Sequence, residues 1–417
     1  MFQKRLIPAR LRNLILPWRD IDWWLLGLVI GMTILGGVMI RSVELQHGWS
    51  DWRRHWITGG VGFVLAMAIA RWRYDQLLNW RWIVYGITNI SLLAVMFLGT
   101  EELGAQRWIP IFGFNVQPSE FAKLGIIITI AALLHERSAA SMLSTLKILA
   151  ITAVPWGLIF LEPNLGTSLV FGAITLGMLY WGNANPGWLL LMLSPVISAI
   201  LFSVSFPIWL AWVAVLGMIA WLTLPWPRSG ALGAMAVNLI AGELGHLLWG
   251  ILKDYQKERL IGFLNPEKDP MGGGYHLIQS RIAIGAGQFW GRGLHHGTQT
   301  QGNFIPEQHT DFIFTAIGEE LGFVGAMLVL LAFWFICLRL VLIAQNAKDA
   351  FGALITIGVM SMVLFQVTVN IGMTIGLSPV TGIPLPWLSY GNAALLMNWL
   401  AIGLVQSVAN HRQRHRF

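Results

Sequence analysis

The chain has 417 residues, 56% of them hydrophobic and 11% charged, with a formal net charge of +7 and one cysteine. Soluble domains are about half apolar and about a quarter charged, so this composition excludes a soluble enzyme and describes a membrane protein. One cysteine, Cys337, excludes an internal disulfide framework; the basic residues sit at the ends of apolar runs, a pattern of topology rather than of nucleic-acid binding.

Apolar runs of about 20 residues, enough to cross about 30 Å of hydrocarbon as helix, recur along nearly the whole length. The basic start MFQKRLIPARLRNLILPWRD precedes IDWWLLGLVIGMTILGGVMI with no small-residue cleavage pattern, which predicts a retained first helix rather than a signal peptide. Spans are expected near 22–40, 56–70, 83–99, 119–134, 146–161, 166–183, 187–203, 207–225, 230–252, 311–343, 351–377 and 388–409. Twelve crossings leave both ends on one side. Lys4, Arg5, Arg10, Arg12 and Arg19 at one end and Arg412, Arg414 and Arg416 at the other make that side the cytoplasm.

The same count puts Arg71, Arg73, Arg81, Arg137, Lys147, Arg228 and Lys348 inside, and segments 100–118 and 253–310 outside. Trp18, Trp23, Trp24, Trp52, Trp56, Trp80 and Trp82 crowd the predicted span edges as an aromatic belt. The expected fold is all-α: a single polytopic membrane helix bundle of about 10 to 12 spans with a large extracytoplasmic loop at 253–310. Near its end, NIGMTIGLSPVTGIPLPWLSYGN carries Pro379, Pro384 and Pro386. Irregular backbone at membrane depth must be buried in protein or line a wet cavity.

The signatures GxxxxGK[ST], HExxH, CxxC and GxSxG are absent. Four polar clusters remain. In GAQRWIPIFGFNVQPSEFAKLG, Glu120 and Lys123 are three apart on one helix face. They read either as a mutual salt bridge or as part of a site, since Lys123 opposes the helix dipole and charges at membrane depth usually face a cavity. In NPEKDPMGGGYHLIQSRIAIGAGQFWGRGLHHGTQTQ, Asp269 precedes a proline and three glycines, by itself a turn former. In FIPEQHTDFIFTAIGEELG, Glu307, His309, Asp311, Glu319 and Glu320 gather at a span entrance, where Thr310 or Asp311 suits an N-cap. Glu162 and Asn164 in LEPNLGTS read as a turn. Glu243 with His246, and His295 with His296, are too few ligands to make a metal site.

Taken in order, GAQRWI, QPSEFAKL, PNLGTSLV, NPEKDPMGGGYHLIQSRIAIGAGQFWGRG, PEQHTDFIFTAIGEELG and NIGMTIGLSPVTGIPLPWLSYG resemble the SEDS family (shape, elongation, division and sporulation), from about the second span to the end. HGTQTQGNFIPEQHTDFIF is most similar to the elongation branch. The resemblance implies a peptidoglycan glycosyltransferase that polymerises lipid II on the outer face of the bacterial cytoplasmic (inner) membrane. It implies as partners a class B penicillin-binding protein transpeptidase and the elongation machinery. It places the essential acid on Asp269 and functional importance on Glu120 and Lys123. Two departures stand out: the family's QPDLGT is Glu162-Pro163-Asn164 onward here, and 187–252 holds three helices where the family usually has one.

In such a reaction an acceptor hydroxyl attacks the donor's anomeric carbon and lipid pyrophosphate leaves. Asp269 is the expected general base, a role typically contributing about 10²- to 10⁴-fold. Lys123, Arg107 and Arg281 are expected to meet charge on the diphosphate, with Glu120 and His309 in the same substrate-binding set. Acids beside a diphosphate also leave room for a divalent cation such as Mg²⁺. The lipid tails require a groove between helices, which helix movement near the Pro-rich segment 377–387 is expected to open. A lipid II flippase and a non-catalytic scaffold for the penicillin-binding protein are the alternatives.

Overall fold

The computed structural model describes residues 20–44, 51–102, 105–111, 114–162, 164–251, 274–302, 304–305 and 307–412. Among the described residues nine long helices come first: α1 (Trp23–Glu44), α2 (Asp51–Arg71), α3 (Gln76–Leu98), α4 (Pro118–Glu136), α5 (Met142–Leu161), α6 (Leu165–Trp181), α7 (Pro186–Val204), α8 (Phe206–Thr223) and α9 (Pro227–Ile251). Three short pieces follow, α10 (Tyr275–Ala286), α11 (Thr298–Gln301) and α12 (Ile313–Glu320), then α13 (Gly322–Gln345), α14 (Ala350–Ile375) and α15 (Asn392–Asn410). Among the described residues eight helices are long and apolar enough to cross a membrane; eleven of the twelve expected spans each overlap one helix, and 311–343 overlaps two. The protein is a multi-pass membrane helix bundle.

Helices α4, α14 and α15 form its centre. In α4, 83% of the most apolar window is buried, against 17% in α3 at the rim. A helix apolar all round belongs inside, and α4 packs against α3, α5, α6, α14 and α15. Exposed rims carry Trp23, Trp24, Trp56, Trp80 and Trp82, in keeping with an interfacial belt.

The expected single span at 311–343 is broken at Leu321–Gly322. Gly322 has φ +67°, and a Cβ there would meet the Gly291 nitrogen at 2.2 Å, so only glycine fits the corner. The last span begins at Asn392 rather than 388, because 377–391 is the Pro-rich segment. A small antiparallel sheet, β1 (Thr100–Glu102), β2 (Ala105–Ile111) and β3 (Phe114–Val116), was not expected; it covers the entry to α4.

The sheet and α10–α12 lie at one end of the bundle, the sheet end. Arg71, Arg73, Arg81, Arg137, Arg228 and Lys348 lie in or beside connections at the opposite, basic end, where Arg81 pairs with Glu136 and Lys348 with Asp75. The start of α1 and the end of α15 meet there, Asp22 and Gln406 exchanging hydrogen bonds of 2.9 Å. The additional helices α7, α8 and α9 pack on one another and touch the rest of the bundle chiefly through α6.

Candidate functional site

Pro118 opens α4 at a position where a missing N–H costs nothing, and Glu120 in the first turn suits the positive end of the helix dipole. Lys123 is placed against that dipole and is 1% exposed. It survives because its ammonium donates to both Glu120 carboxylate oxygens, at 2.8 and 2.7 Å. The pair is therefore mutual, buried and neutral as a unit; direct contact between Lys123 and a diphosphate requires it to open.

Other charges gather beside it. Asn164 caps α6, its Oδ1 accepting from the Thr167 N–H, while its amide reaches the Ser119 hydroxyl at 3.5 Å. Arg107 on β2 donates to the Glu162 carbonyl at 3.2 Å. Both Glu162 carboxylate oxygens are buried with no hydrogen-bond partner among the described residues. Burial pushes the Glu162 carboxyl up to about 8, with the nearby Arg107 charge opposing it. Glu162 is thus no ordinary turn residue. The next residues of α6 abut the Pro-rich segment, since a Cβ on Gly166 would sit 2.8 Å from the Thr381 carbonyl oxygen.

Asn370 on α14 ties that segment to the chain before α12, donating at 2.8 Å to the carbonyls of Asp311 and Ile383. Gly382, at φ +70°, carries the segment past the Asp311 carboxylate; a Cβ there would lie 3.4 Å from Oδ2. The second half of the Pro-rich segment packs into protein rather than lining an open groove, Ile383 at 2%, Leu385 at 1% and Trp387 at 1% exposed, while Leu377 at its start is 76% exposed. An apolar groove of about 620 Å³ lies instead between α1 and α13, lined by Trp24, Gly27, Gly31, Leu35, Leu328 and Ala332 among others.

The expected substrate-binding residues fall into three places. Arg107, Glu120 and Lys123 share the α4 entry with Ser119, Glu162 and Asn164. Arg281 on α10 donates to the carbonyls of Ile375 and Gly376, at 3.4 and 3.3 Å, and so caps the C-terminal end of α14. His309 packs against Tyr390, with ring centroids 5.8 Å apart, and its carbonyl accepts the Tyr390 N–H. Asp269 lies outside the described residues, between Ile251 of α9 and Gly274 before α10.

Two of the acids gathered at the span entrance, Glu319 and Glu320, prove to be tethers. Glu319 accepts from the Thr298, Gln299 and Thr300 N–H groups and the Thr298 hydroxyl, holding α11 from a distance. Glu320 accepts from Ser42 of α1 and from Gln301. At the basic end Asp22 pairs with Arg339, an ion pair that reasoning missed. A lone Arg in an apolar run was the available signal, because such a charge must find a partner.

The fold and its charged end define a polytopic membrane protein with a polar site where helices α4 and α6, a small sheet and a buried Pro-rich segment converge. The family described as a cell cycle protein, FtsW/RodA/SpoVE, matches residues 18–414. The chain belongs to this family. It is 34% identical over 354 residues to the peptidoglycan glycosyltransferase MrdB of Escherichia coli K12, covering 85% of this chain and 84% of that one. It is 32% identical over 439 residues to the peptidoglycan glycosyltransferase RodA of Treponema pallidum, covering 94% and 98%. A solved structure described as a peptidoglycan synthase complex that coordinates polymerization and crosslinking matches with TM-score 0.72 and 29% identity over 95% of this chain and 99% of that chain. The crystal structure of Thermus thermophilus RodA matches in fold, with TM-score 0.63 and 24% identity over 95% and 99%.

Proposed function

We propose that this chain is a peptidoglycan glycosyltransferase that polymerises lipid II into glycan strands during cell elongation. The observation that carries it is the family match over residues 18–414, which includes every segment that builds the polar site. The basic end faces the cytoplasm by the positive-inside rule, with both termini, so the sheet end is extracytoplasmic. A class B penicillin-binding protein that crosslinks the new strand is the partner, supported by the likeness to a synthase complex.

Asp269 takes the proton from the acceptor hydroxyl as the new glycosidic bond forms and the diphosphate leaves. Arg107 supplies positive charge at the sheet end. The Glu120–Lys123 pair holds a fixed dipole under the site, the kind of preorganised field that acts without reorganisation during the reaction. Arg281 positions α10 on α14.

The purified protein given lipid II in detergent, with no bilayer to cross, is expected to make glycan strands, and Asp269→Asn to make none. A flippase would leave lipid II monomeric in that assay. A scaffold would leave cells carrying Asp269→Ala with normal shape; the polymerase reading expects loss of shape with the partner complex intact.

A further inference from the structure

A second charged cluster sits at the sheet end and has no part in the steps above. Glu44 ends α1, Asp51 opens α2, and His309 belongs to the chain before α12. One ligand atom from each lies within 4.8 Å of the others, the one place among the described residues where three such groups meet. Glu44 is fully buried. Its Oε2 accepts the Trp52 N–H at 3.2 Å, while Oε1 is buried with no hydrogen-bond partner among the described residues.

Arg54 reaches Asp51 only at 3.8 Å, from a side chain that is 66% exposed. A ring nitrogen of His309 is the third ligand atom within the same 4.8 Å. A buried carboxylate oxygen without a donor is costly, and a facing carboxylate adds repulsion. Either a shared proton or a cation relieves both. A cation draws on all three groups at once, the two carboxylates and the imidazole nitrogen.

We propose that Glu44, Asp51 and His309 form a binding site for a divalent cation of the Mn²⁺ or Zn²⁺ class. Two oxygen donors and one imidazole suit these ions; Mg²⁺ and Ca²⁺ take oxygen donors alone. At about 2.0–2.2 Å from each donor the ion draws the three atoms together and leaves positions for water. Occupancy clamps the end of α1 and the start of α2 to the loop that carries Asp311 and whose His309 carbonyl accepts the Tyr390 N–H. This site stands independently of the polymerase reading, because binding is read without lipid II.

The full-length protein, stripped with chelator in detergent, is titrated with MnCl₂ or ZnCl₂, and bound metal is counted by mass spectrometry. One ion per chain is expected, with affinity reduced on the order of tenfold or more in Glu44→Gln and Asp51→Asn. Pulsed EPR of bound Mn²⁺ should show coupling to a ring nitrogen that disappears in His309→Gln. The ion should raise the melting temperature of the unsubstituted protein only. Absence of bound metal above a detergent blank, unchanged binding in Glu44→Gln, or Mn²⁺ without nitrogen coupling would each overturn the site. A melting temperature that rises in metal-free Glu44→Gln, with no response to metal in the unsubstituted protein, assigns the pair a shared proton instead.

Discussion

Two buried ion pairs, one at each end of the bundle, differ in what they join. At the basic end, the Asp22 carboxylate accepts from Arg339 and from the Leu25 N–H, and its backbone exchanges hydrogen bonds with the Gln406 side-chain amide. That pair staples α1 to α13, and the Asp22 backbone adds α15; Asp22 lies 317 residues from Arg339 and 384 from Gln406. Glu120 and Lys123 at the sheet end lie three residues apart on one helix and tie no two elements together. An ion pair removed from water rarely gains enough to offset desolvation, and apolar replacements are often as stable. A staple accounts for the first pair; for the second, the fold offers no comparable reason, and the adjoining Arg107, Glu162 and Asn164 point to the site.

Breaking each pair tests that contrast. Lys123→Met leaves Glu120 buried without its cation and should cost about 3–5 kcal/mol, seen in the denaturation midpoint in detergent. Adding Glu120→Gln should restore most of that stability. Strand synthesis from lipid II should nevertheless stay about 100-fold or more below the unsubstituted protein, as when preorganised electrostatics are removed; an active double variant would reduce the pair to packing. Arg339→Met should cost less, about 2 kcal/mol, because Arg339 stays 33% exposed. Combined with Asp22→Asn, it should leave synthesis per folded molecule unchanged.

Helices were largely legible in the sequence because about 30 Å of hydrocarbon demands long apolar runs. Their interruptions were not. The corner at Gly322 depends on how closely Gly291 approaches, and such a contact leaves no mark on local pattern. The Glu120–Lys123 spacing announced a one-face pair, which the structure bears out. By contrast Glu162 looked like a turn former, and only the closing of β2 and α6 around it gives it a buried environment. Arg281 likewise read as a charge for a diphosphate, while its distance from the end of α14 is a tertiary fact. Family resemblance supplied the activity; composition and spacing alone reached a polytopic protein with a polar end.

Glu162 sharpens the comparison from the side of pH. Its carboxyl is raised from 4.5 to about 8 by burial, so the folded protein binds a proton that the unfolded chain releases above 4.5. Stability from this group is fully present below 4.5 and is lost as pH rises through about 8. The melting temperature should therefore fall across that window relative to Glu162→Gln, which has no proton to lose. Parallel curves for the two proteins would mean that Arg107 already holds the carboxylate ionised.

The smallest effect belongs to the three-helix unit at the edge. Asn238 on α9 donates to the Ser194 hydroxyl of α7 at 3.0 Å, and Ser198 of α7 donates to the Asn238 carbonyl and accepts from Trp209 of α8. Lipid is as apolar as the helices it surrounds, so side-chain hydrogen bonds and close packing, rather than burial, hold such a unit together. Each bond of this kind is worth about 0.6 kcal/mol, because the separated helices also find polar partners. Asn238→Ala should lower the denaturation midpoint only slightly and leave strand synthesis unchanged, since α7–α9 reach the central helices chiefly through α6. A large loss of synthesis with an unchanged midpoint would instead join this edge to the site at α4.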